Sequence, residues 1–155
     1  MDIRLASAAD LDLAAQLLHD FNTEYNEPTP QPAVLAQRLR EVPDTDVLLA
    51  GEVGVAVLRF RASLWSSDLE CYLAELYVQP AHRGKGIGRA LLQATLDHAR
   101  SKGAGYLDLG TSEDDVAARH LYESLGMRRT EGNGGPLMFV YEIDLGRQPW
   151  TRLPC

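Results

Sequence analysis

The chain has 155 residues, of which 45% are apolar and 24% charged, and its formal charge is −7. This is the composition of one soluble globular domain, and at that length roughly 70% of the unfolded surface can be buried without disulfide or metal staples. The acidic balance argues against duplex nucleic acid or an anionic membrane as partner and favours a cationic one.

No apolar stretch approaches the ~20 residues of a membrane span. The first thirteen residues carry three aspartates and no basic-then-apolar signal pattern, so a cytoplasmic protein is expected. Cys71 sits in an apolar run and Cys155 is the last residue. Neither a disulfide framework nor a zinc site can be drawn from them, and Cys71 reads as a small core residue.

Apolar periodicity alternates between two and 3.6, the pattern of a mixed α/β domain. Ile3 and Leu5 suggest a first strand. Ser7 with Asp10 can cap a helix carrying Leu11, Leu13, Ala14, Leu17 and Leu18 to about Tyr25. Prolines at 28 and 30 interrupt the chain before a second helix with Val34, Leu35 and Leu39. Strands near Asp46–Ala50 and Val53–Arg61 flank a turn at Gly51-Glu52, and Leu69–Val78 reads as a further strand closed by Pro80. A helix follows from Ile87, ended by Lys102-Gly103 as a basic last turn and glycine cap would end it. Tyr106–Gly110 reads as a short strand, Val116–Leu125 as a helix stopped at Gly126, and Met138–Leu145 as a last strand. The domain is expected to span 1–145, with an irregular tail over 146–155.

Between the strand ending at Val78 and the helix starting at Ile87 lies Arg83-Gly84-Lys85-Gly86-Ile87-Gly88-Arg89. Amides at a helix start have no internal acceptor, and the helix dipole favours an anion there, so a phosphate is the natural guest. A Cβ at Gly84, Gly86 or Gly88 would hold the anion away or forbid positive φ. The spacing is that of neither the dinucleotide nor the phosphate-loop fingerprint. Arg83, Lys85 and Arg89 make the loop locally basic in an acidic chain; the plainer alternative is a turn with a solvated cationic face.

The run LYVQPAHRGKGIGRALL resembles the acetyl-CoA-binding motif of the GNAT superfamily of N-acetyltransferases, [QR]-x-x-G-x-[GA], here Arg83, Gly86 and Gly88. A second family motif, a helix reading N-x-x-A-x-x-L-Y-e-x-L-G-F, is matched by Asp115 to Met127. The resemblance implies a central, mostly antiparallel sheet of six to seven strands with about four helices, splayed between the strands ending near Val78 and Gly110. It implies acetyl-CoA as co-substrate and no metal. Main-chain groups of Leu76, Tyr77 and Val78 would pair with the pantetheine arm, and amides of the Arg83–Arg89 loop, Ile87 included, would hold the pyrophosphate, with Arg83 and Lys85 adding charge.

On the second motif, Asp115, Ala118, Arg119 and Tyr122 share one helix face and would meet the cofactor. The resemblance makes Tyr122 the general acid that protonates the departing thiolate; the alternative is an aromatic capping the core. Asp115 departs from the usual Asn. An ionised carboxylate only accepts hydrogen bonds and would sit poorly beside phosphates, unless Arg119 neutralises it. Met127 stands for Phe.

Acetyl transfer to nitrogen needs a neutral amine, so something must take a proton. Glu75 on the Leu69–Val78 strand is the central carboxylate, with Glu70 and Tyr72 on the opposite face by strict alternation; a solvated residue and a water chain remain alternatives. Glu24 and Tyr25, in the link after the first helix, are candidates to border the acceptor.

The resulting expectation is an enzyme moving acetyl from acetyl-CoA to a primary amine by direct attack in a ternary complex. The acceptor is a cationic small molecule or peptide, without nucleic acid or membrane; a homodimer is compatible. The alternatives are acetylation of protein N-termini or lysines, and a non-catalytic acyl-CoA sensor.

Overall fold

The computed structural model describes residues 1–146, which divide into two compact units, Met1–Asp108 and Leu109–Gly146. In the first, β1 (Ile3–Leu5) leads to a capping box in which the Ser7 amide donates to the Asp10 carboxylate at 2.9 Å, ahead of α1 (Leu11–Glu24). Pro32 opens α2 (Pro32–Glu41), where its missing N–H removes no helical bond. β2 (Thr45–Ala50), β3 (Gly54–Ala62) and β4 (Leu69–Val78) form an antiparallel meander with β1. α3 (Ile87–Ser101) then crosses back so that β5 (Ala104–Asp108) lies parallel to β4, giving the strand order β1-β2-β3-β4-β5.

The sheet is covered on both faces. Ala14 and Leu17 of α1 pack with Val47, Leu49, Val55, Val57 and Tyr77 on one side. On the other, α3 lies against β3 and β4 and buries Ile87, Leu91, Leu92, Thr95 and Ala99, the stripe its 3.6-residue period predicts. The Thr95 hydroxyl, fully buried there, donates to the Leu91 carbonyl at 2.9 Å and so is not left unpaired.

Two features of β4 shape the cavity and the open edge beside it. Val57 pairs with Glu75 but the next residue, Leu58, pairs with Leu73, so Ala74 is an extra residue, a bulge. Beyond it Arg59 pairs with Tyr72 and Arg61 with Glu70, which returns Tyr72 and Glu70 to the face that carries Glu75. Strict alternation predicts the opposite, and the bulge corrects it. The second feature is that β5 pairs with β4 only over Leu69–Tyr72, so Leu73–Val78 runs on with no strand on that side among the described residues. This is the expected splay.

The second unit holds α4 (Val116–Ser124). Gly126, at φ 88°, ends it in a Schellman arrangement, with Met127 N–H donating to the Tyr122 carbonyl and Gly126 N–H to that of Glu123. The sheet has five strands among the described residues instead of six to seven. Met138–Leu145 is not a strand: pairing stops at an isolated Thr130–Leu137 bridge, and Phe139, Val140, Tyr141, Ile143 and Leu145 stand exposed. Alternating apolar residues make a segment able to pair, but the ladder needs a neighbour, and none is present among the described residues. The first of the short C-terminal elements, β5, also begins and ends two residues earlier than its apolar pattern suggests. The expected irregular tail lies outside the described residues from 147 onward.

Candidate functional site

The open edge of β4 leads directly into the glycine loop. Gly84 and Gly86 adopt φ of 75° and 82°, the left-handed region, and a Cβ built on either meets nothing within 4 Å. Glycine is therefore required there by backbone conformation and the space beyond is open. Gly86 is the N-cap of α3, whose first bond is donated by Ala90 to the Gly86 carbonyl at 3.0 Å. The preceding amides, Gly84 to Gly88, have no helical acceptor and lie at the positive end of the dipole. Ile87 is buried and opens α3, Gly88 lies in the first turn, and Lys85 and Arg89 are exposed. Along β4, Tyr77 turns its ring into the core while Leu76 and Val78 are half-buried.

The Arg83 side chain does not reach over the loop. Its Nη1 and Nη2 donate to the two Glu24 carboxylate oxygens at 2.8 Å each, and its Nε donates to the Val78 carbonyl at 2.9 Å. The guanidinium also lies 5.6 Å from the Tyr77 ring centroid, and Tyr77 stacks on Phe21 of α1 at 4.9 Å. Arg83 thus clamps the C-terminal end of α1 to the end of β4, and Glu24 is its partner. Hydrogen bonding from Arg83 holds the Glu24 carboxyl below the usual carboxylate range. Tyr25 sits exposed beyond it, edge-on to Phe21 at 5.5 Å.

On the α1 and α2 side of the sheet is a cavity of about 440 Å³. Leu18, Leu35, Leu39, Val42, Val57 and Ala74 give it an apolar wall, and Asn22, Arg38, Glu41, Thr45, Arg59 and Glu75 supply polar groups. The Ala74 bulge puts both Ala74 and Glu75 opposite Val57, which is why both reach the cavity. Glu75 keeps solvent access through the open mouth, yet the surrounding protein desolvates its carboxyl and pushes it up to about 7. A group titrating there can take up a proton at neutral pH. A second cavity, about 480 Å³, lies at the start of β4, away from the open edge. There Asp46 is already tied to His98 at 2.7 Å and Lys102 at 3.4 Å.

In the second unit, Asp115 is the N-cap of α4, its carboxylate accepting from the Ala118 amide at 3.2 Å. Asp caps a helix as well as Asn does, so the departure from the motif preserves this role. Arg119 does not neutralise it: Nη1 donates to the Glu113 carbonyl at 2.7 Å. Tyr122 is half-buried, and burial, with the Asp115 charge second, raises its phenol further above 10, keeping it a proton donor across the neutral range. Glu70, on the face of Glu75, is paired with Arg61 at 2.7 Å.

Arg38 and Arg59 were not legible as site residues from motifs. A signal existed: Leu35, Arg38, Leu39 and Val42 fall at i, i+3, i+4 and i+7, an arginine set into the apolar stripe of α2. Among the described residues no cluster of three or more His, Cys, Asp or Glu could hold a metal, and no helix is long and apolar enough to cross a membrane.

Residues 14–127 match the family model described as the acetyltransferase (GNAT) family. The N-acetyltransferase YhfO of Bacillus subtilis (strain 168), itself uncharacterized, is 32% identical over 139 residues, covering 85% of this chain and 93% of its own. Streptothricin acetyltransferase of Streptomyces lavendulae is 38% identical over 78 residues, 50% of this chain. That alignment spans 38% of the Streptomyces protein, and several other curated relatives are likewise matched over less than two thirds of their length. A crystal structure of a protein from Arthrobacter sp. FB24, described as an acetyltransferase, superposes with a TM-score of 0.85 at 43% identity, covering 94% of this chain and 96% of that one.

Proposed function

The chain belongs to the GNAT family of acetyltransferases, and from that membership we propose that it transfers an acetyl group from acetyl-CoA to the primary amine of a small molecule by direct attack in a ternary complex. The observation that carries this reading is the course of β4: it parts from β5 after Tyr72 and runs, with an unpaired edge, into a glycine-built helix start. A free strand edge suits the two amides of a pantetheine arm, and a helix start suits its pyrophosphate. Main-chain groups of Leu76 to Val78 take the first and amides of Gly84 to Gly88 the second. Arg83 serves this site by fixing the end of β4.

The acceptor occupies the α1–α2 cavity, whose volume of about 440 Å³ suits a small molecule better than a polypeptide segment. Its ammonium loses a proton to Glu75, directly or through a water. The neutral nitrogen attacks the thioester carbonyl, the carbon–sulfur bond breaks, and Tyr122 gives its proton to the thiolate. No covalent enzyme intermediate is needed, and Cys71, buried with its thiol pushed up to about 11, is a poor nucleophile. Release of free CoA thiol from acetyl-CoA in the presence of a panel of amines and peptides tests this. Thiol release with small amines supports it. Release with peptides alone moves the assignment to protein acetylation, and CoA binding without release with any acceptor makes the protein a sensor.

A further inference from the structure

The charges on the cavity walls carry an inference about what the acceptor must look like. Of the arginines on α2 and β3, Arg40 pairs with Asp12 at 3.3 Å and Arg61 with Glu70 at 2.7 Å. Arg38 and Arg59, the two that line the cavity, have no carboxylate within salt-bridge distance among the described residues. Nη1 of Arg38 is moreover buried with no hydrogen-bond acceptor among them. A guanidinium N–H taken out of water without a partner is unfavourable, and such groups are normally paired. Of the two acidic wall residues, Glu41 already accepts from Gln37, and Glu75 is held up to about 7, so it is partly protonated at neutral pH. The cavity therefore carries an excess of positive charge, a proton acceptor in Glu75, and an apolar wall of leucines and valines.

We propose that the acceptor is an amino acid with an apolar side chain: its carboxylate is held by Arg38 with Arg59 beside it, its amino group is presented to Glu75, and its side chain lies on Leu18, Leu35 and Leu39. A planar carboxylate matches the guanidinium fork and satisfies the orphaned Nη1. The overall charge of −7 leads one to expect a simple cationic acceptor; the local cavity charge refines that to a zwitterion whose cationic end faces the base. This rests on the acetyl-transfer reading above and names the substrate class of that site.

The test compares each amino acid with the amine that lacks its carboxylate: leucine with 3-methylbutylamine, phenylalanine with phenethylamine, and leucine with leucinamide. The carboxylate-bearing member should have the higher kcat/KM by roughly 10- to 100-fold, the range for a charge-assisted hydrogen bond. Leucinamide is a sharp control because its amine loses a proton more readily than that of leucine, and it should still be the poorer acceptor. In Arg38→Gln the leucine to 3-methylbutylamine ratio should collapse toward about one, mainly through KM. Equal rates for the paired compounds in the wild type overturn the carboxylate inference while leaving amine acetylation standing, and this readout needs no variant to fold. A ratio unchanged in Arg38→Gln overturns it too, and absence of thiol release with every amine overturns both readings together.

Discussion

Arg83 holds Glu24 through two hydrogen bonds of 2.8 Å, one from each terminal nitrogen to each carboxylate oxygen. The pair joins the end of α1 to the end of β4 across 59 positions of sequence, and both partners are partly solvent-exposed. Its charge is therefore screened, and its two-point geometry matters more than its strength. Because Arg83 keeps the Glu24 carboxyl below its ordinary value of 4.5, the contribution is complete at neutral pH and is lost as pH falls below about that value. Glu24→Gln should cost about 0.2–1 kcal/mol at pH 7 and flatten the acid side of the stability curve. Thermal melting of both proteins between pH 3 and 7 checks it; parallel curves would show that the pair adds nothing.

Gly86 combines a left-handed backbone with open space where a Cβ would stand. Gly86→Ala should cost about 1–2 kcal/mol through backbone strain alone. Gly86→Glu should, beyond that, abolish CoA binding, because its carboxylate stands at the anion site of the α3 N-terminus. Calorimetric titration with CoA separates the two effects, and an affinity unchanged in Gly86→Glu would remove the loop from the cofactor site.

Tyr122→Phe removes only a hydroxyl from a half-buried ring. Turnover should fall by roughly 10²-fold with little change in CoA affinity, the signature of a lost proton donor. As the phenol is raised above 10, the wild type should show no alkaline loss of activity from this group below that pH. Equal turnover in the two proteins would return Tyr122 to a packing role.

Glu75 must be ionised to accept a proton, so kcat/KM should rise with pH through about 7, and Glu75→Gln should lose that limb. The stability effect has the opposite sign. A carboxyl raised in the folded state binds more protons there than in the unfolded chain, so the wild type loses stability as pH climbs from about 4.5 to 7. Glu75→Gln should gain stability relative to the wild type above pH 7 while losing activity. A variant whose melting profile and pH–rate profile both overlay the wild type would leave Glu75 a bystander.

What the amino-acid sequence made legible was local. The Ser7–Asp10 box, the limits Leu69 and Val78 of β4 and the Gly103 stop of α3 each arise from residue chemistry within a few positions, and the structure has them. The glycine loop was legible because positive φ leaves a mark in composition. What escaped was set by partners distant in sequence. Arg83 beside three glycines reads as a phosphate cation until Glu24 is seen to hold it. Ala74 is too small to disturb an alternation pattern, so the bulge stayed hidden. Arg38 belongs to no site motif in the sequence, and nothing in α2 alone says that a cavity faces it. The Met138–Leu145 segment has the alternation of a strand, which reports capacity for pairing and not the presence of a neighbour.

The single extra residue at Ala74 divides β4 into two halves that answer to different selective demands. Before it, odd positions such as Cys71 and Leu73 serve the α3 core; after it, odd positions such as Glu75 and Tyr77 serve the opposite side. A deletion of Ala74 would therefore straighten the strand and leave its two faces as they are, because Glu75 would still stand opposite Val57 and Leu73 opposite Leu58 in an unbroken ladder. A deletion of Leu76, which is regularly paired with Ala56, would by contrast carry either Glu75 or Tyr77 across to the α3 side. Position 74 is thus tolerant of a change in chain length that position 76 is not, an asymmetry that a deletion scan of β4 would reveal and a substitution scan would miss.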